Sequence, residues 1–123
     1  MKNVEKIRAM VMLYKMDEKK RLREIEAQIE KIKKQLIDTG EMRPGSLTKQ
    51  YRDPKKKIGP FYQLSYTHKM KSRTEYVRPL FVEKIKLEIT AYKRFKKLMG
   101  KWIDLAIEKS KLQIHIDKNQ ISD

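Results

Sequence analysis

Apolar residues recur every three or four positions along the first third of the chain, the spacing that puts side chains on one helix face. They are Val4, Ile7, Val11, Tyr14, Leu22, Ile25, Ile29, Ile32 and Leu36. Between Tyr14 and Leu22 the seam position falls on Glu18, and the pattern restarts in a new phase, as a four-residue stutter would produce. Gly40 can take a positive φ without strain, so it is a suitable stop. The pattern predicts one long helix within residues 1–40.

A second helical pattern follows Pro79, which suits a first helical turn because its missing N–H is not needed there. Its apolar positions are Val82, Ile85, Ile89, Tyr92, Phe95, Leu98, Met99, Trp102, Leu105, Ala106 and Leu112. The pattern predicts a second helix over residues 80–116, with residues 117–123 as a fraying tail.

The segment between these helices has a different period. Tyr62, Leu64 and Tyr66 alternate with polar residues, which is typical of a strand, and "SRTEYV" at 72–77 indicates a second strand after a polar connection. Gly and Pro residues interrupt the stretch before it. The sequence therefore predicts a β-hairpin, although its turn lacks the Asn-Gly signal.

Two long helices with one apolar stripe each are expected to fold back antiparallel on each other. We predict a mostly α fold: an antiparallel, coiled-coil-like hairpin of long helices with a small two-stranded β-ribbon inserted between them. The whole chain, residues 1–123, is predicted to be a single domain, with residues 41–79 as its basic loop and hairpin. A second copy could complete a four-helix core, so a homodimer is a further expectation.

Composition narrows the choice of partner. The 123 residues include 31 Lys and Arg against 16 Asp and Glu, a net charge of +15, which attracts polyanions such as nucleic acid, anionic lipid or acidic protein. There is no cysteine, which excludes disulfides and Cys-ligated metal sites and fits the reducing cytoplasm. The sequence shows no apolar run near the roughly 20 residues of a membrane span and no signal-peptide pattern.

The positive charge is concentrated in the middle segment. Residues 41–79 hold ten basic and three acidic residues, net +7, against net +4 in each flanking segment. Because phosphates bind Lys and Arg and release counterions, this segment is the predicted nucleic-acid surface. Its candidate contacts are Arg43, the loop residues Arg52, Lys55, Lys56 and Lys57, the ribbon-tip residues Lys69, Lys71 and Arg73, and Arg78 near the ribbon base.

The tyrosines of the predicted ribbon allow two interpretations. Tyr62 and Tyr66 could stack on unpaired bases, or they could form the buried face of the ribbon with Leu64, which the strand alternation favours. The sequence carries no constellation for catalysis: it lacks a glycine-rich phosphate loop, an H-x-x-x-H pair and a G-x-S-x-G turn. We therefore predict a protein that is not an enzyme and that uses no metal or cofactor.

Three stretches carry a resemblance to a protein family. They are "RPGSLTKQY" at Arg43–Tyr51, "GPFYQLSYTHKMKSRTEYV" at Gly59–Val77 and "YKRFKKLMGKWIDLAIEKSKL" at 92–112. Together they resemble small uncharacterised bacterial and archaeal proteins found in mobile elements and near transposase genes. Members of that family often carry a cysteine cluster, a small metal knuckle, where this chain has "RDPKKK". The resemblance thus implies contact with DNA or RNA but no zinc.

The leading hypothesis is a non-enzymatic nucleic-acid-binding protein, an accessory or regulatory factor of a mobile element. The alternative is a helical-hairpin interaction module that binds itself or an acidic protein partner, its charge serving solubility and steering. Binding to an anionic membrane surface is a weaker third interpretation, since the start of the first helix lacks bulky aromatic anchors.

Overall fold

The structure, a computed structural model, describes residues 2–121. Its elements are α1 (Lys2–Ile37), β1 (Ser46–Asp53), β2 (Ile58–His68), β3 (Lys71–Val77), a short 3-10 turn (Pro79–Phe81) and α2 (Val82–Ile121). α2 continues well past residue 116, where the sequence predicts its end. Two compact units can be distinguished: α1 up to Leu36 with α2 from Leu98, called here the helical unit, and residues 37–97, called the sheet unit.

The sheet unit corrects the predicted fold class. The segment that connects the two helices in the sequence forms a three-stranded antiparallel sheet in the order β1-β2-β3, so the prediction of a two-stranded ribbon is wrong. β1 was missed because "SLTKQYRD" is an edge strand with only two apolar residues, Leu47 and Tyr51, and most of its positions are exposed. It nevertheless pairs with β2 from Ser46 opposite Ser65 to Asp53 opposite Ile58, with a break in the register at Arg52.

The core of the sheet unit forms where one face of the sheet meets the start of α2. Leu64 is completely buried and clusters with Val77, Val82 and Ile89. Leu47, Tyr62, Tyr66 and Ile85 are partly buried around this cluster. The face of the sheet that carries Leu64 is called here the inner face.

Gly45 is required by this core. Its φ is +153°, a conformation that side-chain-bearing residues rarely adopt, and a Cβ there would lie 2.4 Å from Cδ1 of Leu64. The "PGSL" stretch therefore brings the backbone up against the most buried side chain of the unit.

In the helical unit, α1 and the second half of α2 run antiparallel. Arg21 donates two hydrogen bonds to Glu108, of 2.8 and 3.0 Å. Further along α1, the ammonium group of Lys33 lies 5.5 Å from the centre of the Trp102 ring. Later residues of α1 thus meet earlier residues of α2. The buried apolar residues of this unit are Ile25, Ile29, Ile32, Leu98 and Ile116.

The predicted stutter marks a real change along α1. Glu18 is only 7% exposed, and its Oε1 lies 2.9 Å from Nε2 of His115. Before it, the apolar positions Val4, Ile7, Val11 and Tyr14 are 46–59% exposed. The first turns of α1 therefore present an apolar face that is about half exposed.

Candidate nucleic-acid interface

The turn between β1 and β2 presents three lysines on a fixed backbone. Oδ1 of Asp53 accepts hydrogen bonds from the backbone N–H groups of Lys55 and Lys56, at 3.2 and 3.3 Å, as Asp does in many tight turns. Lys57 takes a left-handed φ of +52° before β2 begins. All three lysine side chains are exposed, and none takes part in the ion pairs found among residues 2–121.

Arg52 belongs to β1 rather than to the predicted loop. Gly59 lies beside it on β2 with a φ of +69°, and a Cβ at Gly59 would meet the Arg52 side-chain stem at 3.3 Å. The missing side chain of Gly59 therefore leaves the space in which the Arg52 stem crosses the strand pair. The exposed Arg52 side chain thus passes over Gly59, and Arg52 comes shortly before the three-lysine turn in the chain.

A second basic turn joins β2 to β3. Lys69 and Met70 form a two-residue connection in which both residues have a positive φ, 51° and 65°, the geometry of a type I′ hairpin turn. Met70 is 98% exposed, and Lys69 and Lys71 are exposed beside it. Arg73 follows on β3, opposite Tyr66.

Arg43 is already committed to contacts within the sheet unit. Its Nη2 lies 3.3 Å from Oε2 of Glu75, its guanidinium lies 5.2 Å from the centre of the Tyr66 ring, and its backbone N–H donates to the carbonyl of Glu88 at 3.2 Å. The Arg43 side chain is 29% exposed. These contacts make Arg43 a residue that fixes the loop before β1, with less freedom than the turn lysines to meet a phosphate.

Tyr66 completes this network by donating a hydrogen bond of 2.7 Å to Oε1 of Glu75. That hydrogen bond is the main reason that the pKa of Glu75 is lowered, and Arg43 and Arg73 lower it further. The same bond is the main reason that the pKa of Tyr66 is raised. The carboxylate of Glu75 is therefore occupied by neighbours within its own unit.

The inner-face tyrosines are placed for packing. Tyr62 and Tyr66 are half-buried beside Leu64, which lies between them on the same strand face. This placement favours the packing interpretation over base stacking for both residues. Arg78 lies apart from them, between β3 and the 3-10 turn, in an extended conformation and exposed to solvent.

The sequence reasoning missed the opposite face of the sheet, called here the outer face. By strand alternation and the observed register it carries Ser46, Thr48, Gln50, Phe61, Gln63, Ser65, Thr67, Ser72, Thr74 and Tyr76. Phe61 and Tyr76 form an aromatic pair there, with ring centres 6.4 Å apart and planes inclined by 40°. The same alternation that directs Tyr62 inward directs Phe61 outward, so the signal was present in the sequence.

The start of α2 adds further basic residues to the sheet unit. A surface cleft of about 670 Å³ is lined by Lys49 of β1 and by Lys86 and Lys93 of α2, and no acidic residue lines it. In total, residues 37–97 contain 16 basic and 6 acidic residues, a net charge of +10 out of the chain's +15. The positive excess therefore belongs mostly to the sheet unit.

Comparison of the chain with family models, with curated proteins and with solved structures finds no match. Within residues 2–121, no group of three or more His, Cys, Asp or Glu side chains is arranged to hold a metal ion. In the same range, neither helix contains a stretch long and apolar enough to cross a membrane.

Proposed function

We propose that this protein binds nucleic acid through its sheet unit, in a binding rather than a catalytic role. The observation that carries the proposal is the ordered β1–β2 turn, where Lys55, Lys56 and Lys57 stand together without an ion-pair partner among the described residues. Lysines held close together attract a chain of phosphates more strongly than the same charges dispersed, because neutralising several phosphates releases several counterions.

Three of the six acidic residues of the sheet unit already have partners within it. Asp53 is used to order the turn backbone, Glu75 is engaged by Tyr66 and Arg43, and Glu83 pairs with Lys86 at 3.4 Å. These three carboxylates would therefore compete less with a polyanion for Arg52 and the turn lysines.

A separate proposal concerns the biological process in which this binding takes part. The resemblance to mobile-element proteins supports an accessory or regulatory role beside a transposase, since such factors act on DNA or RNA. "RDPKKK" would then contribute phosphate contacts at the position where many of those similar proteins carry cysteines.

A salt titration tests the proposal. Binding of fluorescently labelled duplex and single-stranded oligonucleotides is followed by anisotropy at increasing salt, for the wild type and for the triple variant Lys55→Glu, Lys56→Glu, Lys57→Glu. Losing three phosphate contacts should weaken binding more than tenfold and reduce the slope of log K against log salt by about 2 to 3.

The chain offers a matched control in the helical unit. Lys20, Lys31 and Lys34 are exposed lysines of α1, and changing them to Glu alters the net charge equally. Affinity of this control should stay near that of the wild type. Absence of binding at about 50 mM salt, where a phosphate-binding surface should be near its strongest, would contradict the proposal. So would an equal loss in both triple variants, because that would indicate a diffuse effect of net charge.

A second candidate, self-association through the helical unit, is supported by its uncovered apolar side chains. Besides the exposed seam of the first turns of α1, Ile103, Ile107 and Ile114 are 50–55% exposed and lie four and seven residues apart, on one face of α2. Such a face is typical of helices that pair with further helices.

Light scattering coupled to gel filtration distinguishes this candidate. A concentration-dependent dimer that Ile107→Glu converts to a monomer would support self-association. A monomer at every concentration would exclude it and leave an acidic protein as the alternative partner. An acidic protein that binds the same surface would displace the labelled oligonucleotide from this protein and lower its anisotropy.

A further inference from the structure

We propose that the outer face of the sheet is a platform for unpaired bases, so that the ligand is single-stranded nucleic acid. This inference rests on the proposed function and names the substrate class of that same surface. The residues that would touch the bases are Phe61 and Tyr76, neither of which belongs to the basic set predicted from the sequence.

The aromatic pair is accessible. Tyr76 on β3 is 59% exposed. Phe61 is half-buried beside it on β2, two residues before Gln63, which is the residue opposite Tyr76. Their ring centres lie 6.4 Å apart. The inner-face tyrosines, by contrast, are held against Leu64. Because every base has an aromatic face, an exposed ring and its half-buried neighbour on a sheet can accept successive bases without regard to sequence.

The surroundings of the pair suit bases better than they suit another protein surface. Of the described strand residues on the outer face, none is acidic and none is a large aliphatic side chain. Gln50 is paired with Phe61, and Gln63 is paired with Tyr76, on neighbouring strands. The amide groups of both glutamines are able to form hydrogen bonds with base edges. Duplex DNA has its bases stacked inside the helix, so two rings on a flat sheet would gain little from it.

The hydroxyl groups of the face lie toward the other end, and several are already paired. Thr67 and Ser72 lie 2.9 Å apart through their hydroxyl oxygens, and Ser65 and Thr74 lie 3.3 Å apart. These cross-strand pairs hold β2 and β3 in register beyond the aromatic pair. The rings are consequently presented on a fixed support, which lowers the ordering cost of stacking a base.

Cationic groups border the aromatic end of the outer face. Arg52 lies two residues after Gln50 on β1, and its stem passes over Gly59. The three-lysine turn comes next along the chain, and Arg78 directly follows the end of β3. A strand whose bases lie on Phe61 and Tyr76 would thus have its phosphates near Arg52 and the turn, which joins this platform to the proposed phosphate contacts.

The test uses ring-removing variants with a matched control. Tyr76→Leu and Phe61→Leu keep an apolar side chain but remove the ring, and Tyr76→Phe keeps the ring. Tyr14 has the same 59% exposure as Tyr76 but belongs to the helical unit, so Tyr14→Leu is the control. The probes are labelled oligo-dT and oligo-U of about 12 nucleotides, within the site size typical of stacking platforms, and a duplex of equal length.

We expect Tyr76→Leu and Phe61→Leu each to weaken single-strand binding about tenfold, with Tyr76→Phe and Tyr14→Leu close to the wild type. Duplex affinity should change by less than about twofold, because stacking is not used there. A 2-aminopurine placed in a single strand should show fluorescence quenching on binding that Tyr76→Leu reduces. The affinities for oligo-dT and oligo-U, measured side by side, show whether the surface prefers DNA or RNA.

The failure of this inference differs from the failure of the proposed function. If both leucine variants bind single strands like the wild type while the Lys55–Lys57 variant binds weakly, the platform is wrong and phosphate binding stands. If the leucine variants lose duplex and single-strand binding equally, the rings do not read unpaired bases and the inference is also overturned. If the wild type binds no oligonucleotide at low salt, both proposals are wrong.

Discussion

Tyr66 donates a hydrogen bond of 2.7 Å to Glu75, and the two residues lie on the inner face of neighbouring strands. This bond, with Arg43 and Arg73 nearby, lowers the pKa of Glu75. A carboxyl group whose pKa is lower in the folded state stabilises the fold when it is ionised. That stabilisation is present above the ordinary glutamate pKa and is lost as the pH falls through the folded-state value.

The first prediction follows from this sign. The free energy of unfolding of the wild type should fall between about pH 6 and pH 3, and part of that fall should be absent in Glu75→Gln, which cannot ionise. The difference between the two proteins should be largest at neutral pH and shrink in acid. Urea denaturation at a series of pH values measures it. Tyr66→Phe should behave similarly because it removes the main cause of the shift. A difference independent of pH would contradict this account.

The second prediction concerns Gly45 and Gly100, which differ in their surroundings. Alanine at Gly45 would combine an unfavourable φ with a clash against the buried Leu64, so Gly45→Ala should lower the free energy of unfolding by roughly 1–3 kcal/mol or more. Gly100 lies within α2, and a Cβ there would meet nothing within 4 Å. Gly100→Ala should therefore raise the free energy of unfolding by about 0.5–1 kcal/mol. Thermal unfolding of both variants gives the comparison, and equal effects would disagree with the observed packing.

The two helices were predictable because their signal is long and repetitive. Ile25, Ile29 and Ile32 recur at helical spacing and are buried in the structure. Gly40 also has the left-handed φ that was expected of a stop. In such elements many apolar residues independently indicate a helix, so one exception such as Glu18 does not alter the prediction.

β1 could not be recognised in the same way. Its inner-face positions after Leu47 include Lys49, whose ammonium group lies 5.5 Å from the Tyr51 ring centre. A lysine in the middle of a short alternation of apolar and polar residues is typical of a loop. Only the pairing with β2 makes this segment a strand. The candidate site shows a similar division. Its basic residues are evident from charge alone, but which aromatic residues are exposed depends on which face of the sheet α2 covers.

The third prediction concerns Glu18 and His115 in the helical unit. Oε1 of Glu18 is buried, and the 2.9 Å contact with Nε2 of His115 provides a hydrogen bond only when that nitrogen carries a proton. His115→Ala should destabilise the protein because it removes one of the two polar neighbours of the buried Glu18 side chain, the other being Tyr14. Glu18→Leu should stabilise it by continuing the apolar seam, by an amount on the order of 1 kcal/mol or more.

Thermal unfolding of the two single variants and of the double variant tests this pair. In the Glu18→Leu background, loss of His115 should matter little, because no buried charge then remains to be compensated. Equal destabilisation by His115→Ala in both backgrounds would mean that the imidazole acts through packing, for instance through its edge contact with Tyr14 at 6.5 Å between ring centres.

The fourth prediction concerns the β2–β3 turn, where Lys69 and Met70 both have a positive φ. A side chain in the left-handed region costs roughly 1–2 kcal/mol, a cost that glycine avoids. Met70→Gly should therefore raise the free energy of unfolding by about 1 kcal/mol, whereas Met70→Ala, which keeps a Cβ, should not.

Because the Met70 side chain is 98% exposed, neither variant removes much packing. The difference in stability between the two variants therefore reports the backbone conformation of the turn. Both variants also keep Lys69 and Lys71, so nucleic-acid affinity should change only if the shape of the turn matters for binding. Chemical denaturation of the two variants gives the stability difference. Met70→Gly that is no more stable than Met70→Ala would show that the turn does not hold a left-handed residue at this position in solution.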